Sequence, residues 1–178
     1  MNTFLLILLS ALASLVNLPI ASSDFRFSAG IIVLMVAVIF WQKPRILWLG
    51  TLTGLAVCLT RLMVASIQGQ EADPLSYFLE VFFYLGYVLV YHLVVVKAND
   101  TYGLPLVVGL SLSDFGGNVL EFFVRLGLNY ESFRSIPLST LVIGALVRSV
   151  IIILLVYLSY LLARALGKNI PNPLARDF

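Results

Sequence analysis

The chain has 178 residues, of which 61% are hydrophobic and 11% are charged, and its mean hydropathy is +1.03. Soluble domains are about 45–50% apolar and about 25% charged, so the composition indicates an integral membrane protein and leaves no stretch for a soluble catalytic domain. The net charge of +2 is small and scattered, which argues against nucleic-acid binding.

Apolar runs along the chain predict an all-α, polytopic membrane protein, with six transmembrane helices and short loops in a single domain, 1–178. The first run lacks Lys or Arg before its apolar core, so we interpret it as a span and not as a cleaved signal peptide. The spans are expected at about 4–21, 27–42, 46–66, 77–96, 103–128 and 138–165.

Basic residues outside these spans predict the orientation. External loops would hold only Arg26 and Arg134, and the loop QGQEADPLS holds no Lys or Arg. We therefore expect a bacterial inner-membrane protein with both termini in the cytoplasm. The basic residues on its cytoplasmic side would be Lys43, Arg45, Lys97, Arg164, Lys168 and Arg176.

A polar stripe interrupts the fifth span. Asp114, Asn118, Glu121 and Arg125 step by four, three and four residues, so they lie on one face of a helix. A charge near the bilayer centre costs about 2.5–3.5 kcal/mol even on the lenient insertion scale. The stripe is therefore expected to face protein or a water-filled cavity, and other helices must supply its partners.

Three charged residues in other spans can supply the partners of this stripe: Arg61, Glu80 and Arg148. The set contains three acids and three arginines, concentrated in the outer half of the membrane. Asp114 and Arg148 lie at similar depths and are predicted to pair. A single pair would be read as structural, but six ionisable groups indicate a site.

The fourth span repeats the same spacing with Glu80, Tyr84, Tyr87 and Tyr91. Such a face can stack a planar ligand and hydrogen-bond its polar edge, or it can fill the core of a bundle. Both alternatives remain open from the sequence. The predicted ligand-binding residues are Arg61, Glu80, Tyr84, Tyr87, Asp114, Asn118, Glu121, Arg125 and Arg148.

Catalytic and metal-binding patterns are not found in the sequence. It has no HExxH, no GxSxG and no phosphate loop, and its single cysteine and single histidine suggest no metal cluster. We expect a binding protein and not an enzyme, without cofactor, metal or catalytic residues. Its expected partners are a small-molecule ligand and membrane lipid. Ser10 and Ser14 give the first span a small-residue face, which can pack inside the bundle or contact a transmembrane partner protein.

Six short-looped spans in this length resemble the substrate-binding S components of energy-coupling-factor (ECF) vitamin transporters. The segments that carry the resemblance are FSAGIIVLMVAVIFWQKPR, the small-residue span ILWLGTLTGLAVCLTRL, the acidic FLEVFFY and the polar fifth span. The resemblance implies a ligand site near the outer face, built from the first loop and the last three spans. It also implies uptake with a partner that hydrolyses ATP. That family docks its partner through an Ala-xxx-Ala motif in the first span, where this chain has only Ser10 and Ser14.

Two other resemblances compete. DFRFSAGIIVL with LTGLAVCLTRLMV is similar to the N-terminal membrane sensing domain of some Gram-positive histidine kinases, which implies a sensor input role. The size and span plan are also similar to the rod-shape determining membrane protein MreD, which implies a scaffold.

Overall fold

The computed structural model describes residues 2–19, 26–41, 45–69, 73–97, 104–130, 138–168, 170 and 172–174. Six helices lie within these ranges, which confirms the predicted helical class for the described part of the chain. They are α1 (Thr3–Ala13), α2 (Ala29–Trp41), α3 (Ile46–Ile67), α4 (Pro74–Tyr91), α5 (Leu106–Gly127) and α6 (Leu138–Ala165). A π-helical segment, His92–Lys97, extends α4.

Four of the described helical segments are long and apolar enough to cross a membrane. They fall where the last four spans were predicted, at Ile46–Ile67, Pro74–Lys97, Leu106–Gly127 and Ser139–Ala165. Leucines on their outer faces, such as Leu59, Leu158 and Leu162, are more than half exposed. Lipid is the natural solvent for such a surface.

The prediction of six spanning helices is not confirmed, because α1 and α2 have only 11 and 13 residues. At 1.5 Å per residue they are about 16–20 Å long, less than the ~30 Å hydrocarbon core. The predicted first span, 4–21, is wrong beyond Ala13, and its residues 20 and 21 lie outside the described residues. The second, predicted at 27–42, begins as a helix only at Ala29.

A small antiparallel hairpin replaces the missing helical turns. Strand β1 (Asn17–Pro19) pairs with β2 (Arg26–Ser28), so that Asn17 lies opposite Ser28. The backbone N–H of Ala29 still donates to the carbonyl of Val16, at 3.2 Å. Since the hairpin satisfies these backbone groups, the apolar run does not need to remain helical.

The helices enclose one core around α2 and α4. α2 packs against α1 and α6, and α4 packs against α3 and α5. Ile31, Leu34 and Met35 of α2 are completely buried. Three of the basic residues from which the orientation was predicted, Lys43, Arg134 and Arg176, lie outside the described residues.

Glycines bring α4 and α5 into backbone contact. A Cβ atom at Gly86 would come within 2.9 Å of the Gly116 carbonyl oxygen, and one at Gly117 within 2.8 Å of the Phe83 carbonyl oxygen. Both distances are too short for a side chain, so the close approach requires glycine at these positions.

Substitution of Gly117 by alanine should therefore lower the melting temperature of the purified protein. The added methyl group meets backbone, and overpacking of this kind costs about 1–3 kcal/mol. Gly127→Ala is the matched control on the same helix, because nothing lies within 4 Å of its Cβ position. Equal melting temperatures for Gly117→Ala and wild type would contradict the packing described here.

Candidate functional site

The six charged residues singled out from the sequence form three ion pairs: Arg61–Glu80, Arg125–Glu121 and Arg148–Asp114. Five of the six side chains are at most 8% exposed, and Glu80 is 22% exposed. The pairing of Asp114 with Arg148 was predicted; the partners within the other two pairs were not. Each of these six charges therefore has an opposite charge beside it, as burial in an apolar interior requires.

The innermost pair joins α5 to α6. Arg148 donates from Nη1 to Oδ2 of Asp114. Asn118, one turn further along α5, donates from Nδ2 to Oδ1 of Asp114 at 2.9 Å and to its main-chain oxygen at 2.8 Å. The guanidinium of Arg148 also lies over the ring of Phe83, 5.4 Å from its centroid. The predicted stripe thus faces protein.

The second pair ties the end of α5 to the beginning of α4. Arg125 donates from Nε and Nη2 to Oε1 of Glu121, at 2.8 and 2.6 Å. Its Nη2 also donates to the carbonyl of Ser76 on α4 at 3.3 Å. The guanidinium lies 5.2 Å from the ring centroid of Tyr130.

The third pair connects four elements through one arginine. Arg61 of α3 donates from Nη1 to both carboxylate oxygens of Glu80 on α4. Its Nη2 donates to the carbonyl of Ser14, just after α1, at 3.0 Å, and lies 3.4 Å from Oγ of Ser28 in β2. Arg61 therefore fixes the base of the hairpin to the α3–α4 interface.

The second and third pairs share one end of the bundle. Arg61, Glu80 and Glu121 each lie within two turns of the helix end nearest the 68–73 and 128–137 connections. The hairpin lies at this end too, since Arg61 bonds to its base. We call this the charged end; it corresponds to the end predicted to face outward.

Sequence reasoning missed a polar contact at the same end. Asp73 caps α4 by accepting from the backbone N–H groups of Leu75 and Ser76, and the hydroxyl of Tyr130 donates to its other oxygen. That hydrogen bond holds the pKa of Asp73 below its usual 3.8. An Asp directly before Pro74 was an available signal for a helix cap.

The tyrosines of α4 line the core. Tyr84 and Tyr87 are at most 1% exposed, so both side chains lie inside the bundle. Tyr84 faces Ser28 next to the Arg61–Glu80 pair. The hydroxyl of Tyr87 has no hydrogen-bond partner among the described residues, although Asp114 and Arg148 are its charged neighbours.

Ser10 and Ser14 also face inward. Both are completely buried, and a Cβ atom at Gly30 of α2 would come within 2.8 Å of the Ser10 carbonyl and 2.9 Å of the Ser14 Cβ. Of the two roles left open by the sequence, internal packing is the one seen here. The surface that α1 exposes is leucine-rich, with Leu8 and Leu12 at 43% and 50% exposure.

Within the described ranges, no three His, Cys, Asp or Glu side chains come together as a metal site would require. Comparisons of the chain with models of protein families, with curated proteins and with solved structures give no match. Function is therefore inferred from the charged end and its surroundings.

Neutralising either member of the innermost pair should destabilise the protein strongly. Asp114→Asn removes the carboxylate that the buried Arg148 guanidinium contacts, and Arg148→Gln removes the guanidinium that the buried Asp114 contacts; such losses are about 3–5 kcal/mol. The double variant should lose less than the sum of the two single variants. Detergent melting curves of the four proteins measure this, and strictly additive losses would show that the two charges are not coupled.

Proposed function

We propose that this chain is a membrane-embedded binding protein, which takes up a small polar or aromatic molecule at the charged end. The observation that carries this proposal is the gathering of two ion pairs, Arg61–Glu80 and Arg125–Glu121, within two turns of the same end. Ionisable residues at membrane depth are expensive, and one pair would be enough to join two helices. Two pairs side by side favour recognition of a polar ligand.

The surroundings of the charged end supply the other features of a ligand site. Glu80 is the more accessible partner in its pair, which gives a ligand a point of entry. Phe83 and Tyr84 follow it on α4, and the ring of Phe83 meets those of Tyr84 and Tyr87 edge to face at 5.8 and 6.0 Å. Aromatic side chains of this kind suit a planar ligand.

In the proposed membrane setting, all six helices are embedded in a bacterial inner membrane, both termini are cytoplasmic, and the charged end faces outward. The two short helices would enter together, with the hairpin at the outer surface. The bonds from Arg61 to Ser14 and Ser28 support this arrangement, because they hold the hairpin at the charged end.

The role that we favour is uptake, like that of an S component, with ATP hydrolysis supplied by a partner protein. Such a partner, docking on α1, would meet its leucine face. A scaffold role is the second candidate, and one observation favours it: each acid of the cluster already has an arginine counter-charge inside the chain. A sensor input role shares the binding site and differs only in the partner.

Thermal-shift screening of the purified protein with vitamins, nucleobases and amino acids tests the binding role. A ligand that binds only the folded state stabilises it by about 2.7 kcal/mol at a hundredfold excess over its dissociation constant. We expect a hit that stabilises wild type and loses its effect in Glu121→Gln and Arg125→Gln. Arg164→Gln is the matched control, since Arg164 is exposed near the opposite end of α6. A hit that keeps its effect in both variants would move the site elsewhere and leave the ion pairs structural.

Cysteine labelling in intact cells tests the orientation. In a Cys58→Ser background, a cysteine at Gln68, just beyond α3, should react with an impermeant reagent, and one at Lys168, just beyond α6, should not. In the proposed topology, three membrane crossings separate Gln68 from the cytoplasmic N-terminus, so Gln68 lies outside. Lys168 follows the sixth crossing and therefore lies in the cytoplasm. The opposite labelling pattern would invert the proposed topology.

A further inference from the structure

We propose that the end of the bundle opposite the charged end binds the headgroups of anionic phospholipids. This inference goes beyond the proposed function and does not depend on it. The directions of the helices define this second end: α3 and α5 begin there, and α2, α6 and the π-helical extension of α4 finish there. We call it the basic end, because four exposed basic residues lie on it: Arg45, Lys97, Arg164 and Lys168.

The first basis is that the basic end carries charge of one sign. Within the described ranges, none of its four basic side chains forms an ion pair. Arg164 lies over the ring of Tyr160, 5.8 Å from its centroid, and this contact leaves its positive charge in place. The acids that the structure describes lie in the core or at the charged end: Asp73, Glu80, Asp114 and Glu121.

The excess of positive charge remains when the rest of the sequence is included. The segments that leave the basic end, 1–2, 42–45, 97–105 and 164–178, hold six basic and two acidic residues, a net charge of +4. Those that leave the charged end, 14–28, 68–73 and 128–137, hold two basic and four acidic residues, a net charge of −2. The two acids of the first group, Asp100 and Asp177, lie outside the described residues. An anionic partner is therefore attracted to the basic end and not to the charged end.

The second basis is that both tryptophans of the chain lie at the basic end. Trp41 is the last residue of α2 and is 44% exposed, and Trp48 in the first turn of α3 is 70% exposed. Trp48 follows Arg45 by three residues, so the two share one side of the helix. Indole rings are enriched at the level of lipid headgroups, because an apolar ring with a polar N–H suits that boundary. Exposed tryptophan beside exposed arginine thus indicates a surface at headgroup depth.

At the end of α6, apolar and basic side chains alternate, which favours lipid over an acidic protein. Leu162 and Leu166 are 63% and 68% exposed, and Arg164 lies between them. The stem of such an arginine can lie along acyl chains while its guanidinium reaches a phosphate. Gly167 has φ +74° and turns the chain so that the backbone of Lys168 bonds back to α6 at 3.0 Å. This turn keeps Lys168 near Arg164.

Quenching of tryptophan fluorescence by brominated lipids tests the inference on the full-length purified protein. Since both tryptophans lie at the basic end, their emission reports on lipid at this end. The protein is reconstituted into vesicles of phosphatidylcholine and phosphatidylglycerol in equal amounts, with bromine on one lipid and then on the other. We expect phosphatidylglycerol to be enriched around the tryptophans by about fivefold, the preference that one nearby basic residue supplies. Both leaflets have the same composition, so the direction of insertion does not affect the result.

Neutralising the basic end should abolish this preference. The combined variant Arg45→Gln, Lys97→Gln, Arg164→Gln and Lys168→Gln should be quenched equally by the two brominated lipids. Arg26→Gln is the matched control, because it removes a basic residue from strand β2 at the charged end and should keep the preference.

Salt gives a second measurement, which needs no variant. Raising the salt concentration from about 0.15 M to about 1 M shortens the Debye length from about 8 Å to about 3 Å, so the preference of the wild type should weaken. A preference unchanged by salt would overturn the electrostatic basis of the proposal, and this result stands even if the combined variant does not fold.

Equal quenching of the wild type by the two lipids would overturn lipid binding and leave an acidic protein as the partner of the basic end. A preference that the folded combined variant keeps would overturn the role of the four residues. Glycerophosphoglycerol, the soluble headgroup, should not displace the brominated lipid; displacement would assign the surface to a free phosphodiester instead. These outcomes are independent of ligand binding at the charged end, which the variants Glu121→Gln and Arg125→Gln test.

Discussion

Buried charge is the constraint around which this bundle is organised. Each of the three acids in the ion pairs has an arginine beside it. Two of the pairs join neighbouring helices directly, and the third does so through a further hydrogen bond of its arginine. Arg148 and Asp114 join α6 to α5, Arg125 bonds from α5 to the first turn of α4, and Arg61 joins α3 to α4. Because breaking a buried pair leaves an unpaired charge, these contacts determine which helices are neighbours as well as satisfying the charges.

Helix α4 takes part in these contacts because its backbone lies directly against the backbone of α5. Lipid gives helices little hydrophobic reason to associate, so close packing and polar contacts must hold them together. Gly86 and Gly117 remove the side chains that would keep α4 and α5 apart. With the backbones this close, the short carboxylate of Asp114 and the ring of Phe83 can meet the same guanidinium.

The features that the sequence predicted are those set by residue spacing along one helix and by depth in the membrane. The four-three-four spacing placed Asp114 and Glu121 on one buried face, and similar depth predicted the partner of Asp114. The sequence did not reveal which arginine pairs with Glu80, because that depends on how α3 and α4 meet. Nor did it reveal the end of α1. An apolar run looks the same whether its backbone bonds within a helix or, as at Asn17–Pro19, with a strand several residues further on.

Arg61 connects the charge balance to the shape of the charged end. One guanidinium contacts Glu80 with Nη1 and bonds to the end of α1 and the base of the hairpin with Nη2. Any ligand that contacts Arg61 at the proposed site must therefore accommodate the bonds of this guanidinium to Ser14 and Ser28. Ser14 directly follows α1, so under the proposed function Arg61 would link the site to the helix that presents the exposed leucine face. Transport and sensing both need a link of this kind between a site and a partner surface, whereas a scaffold needs only the balance of charge.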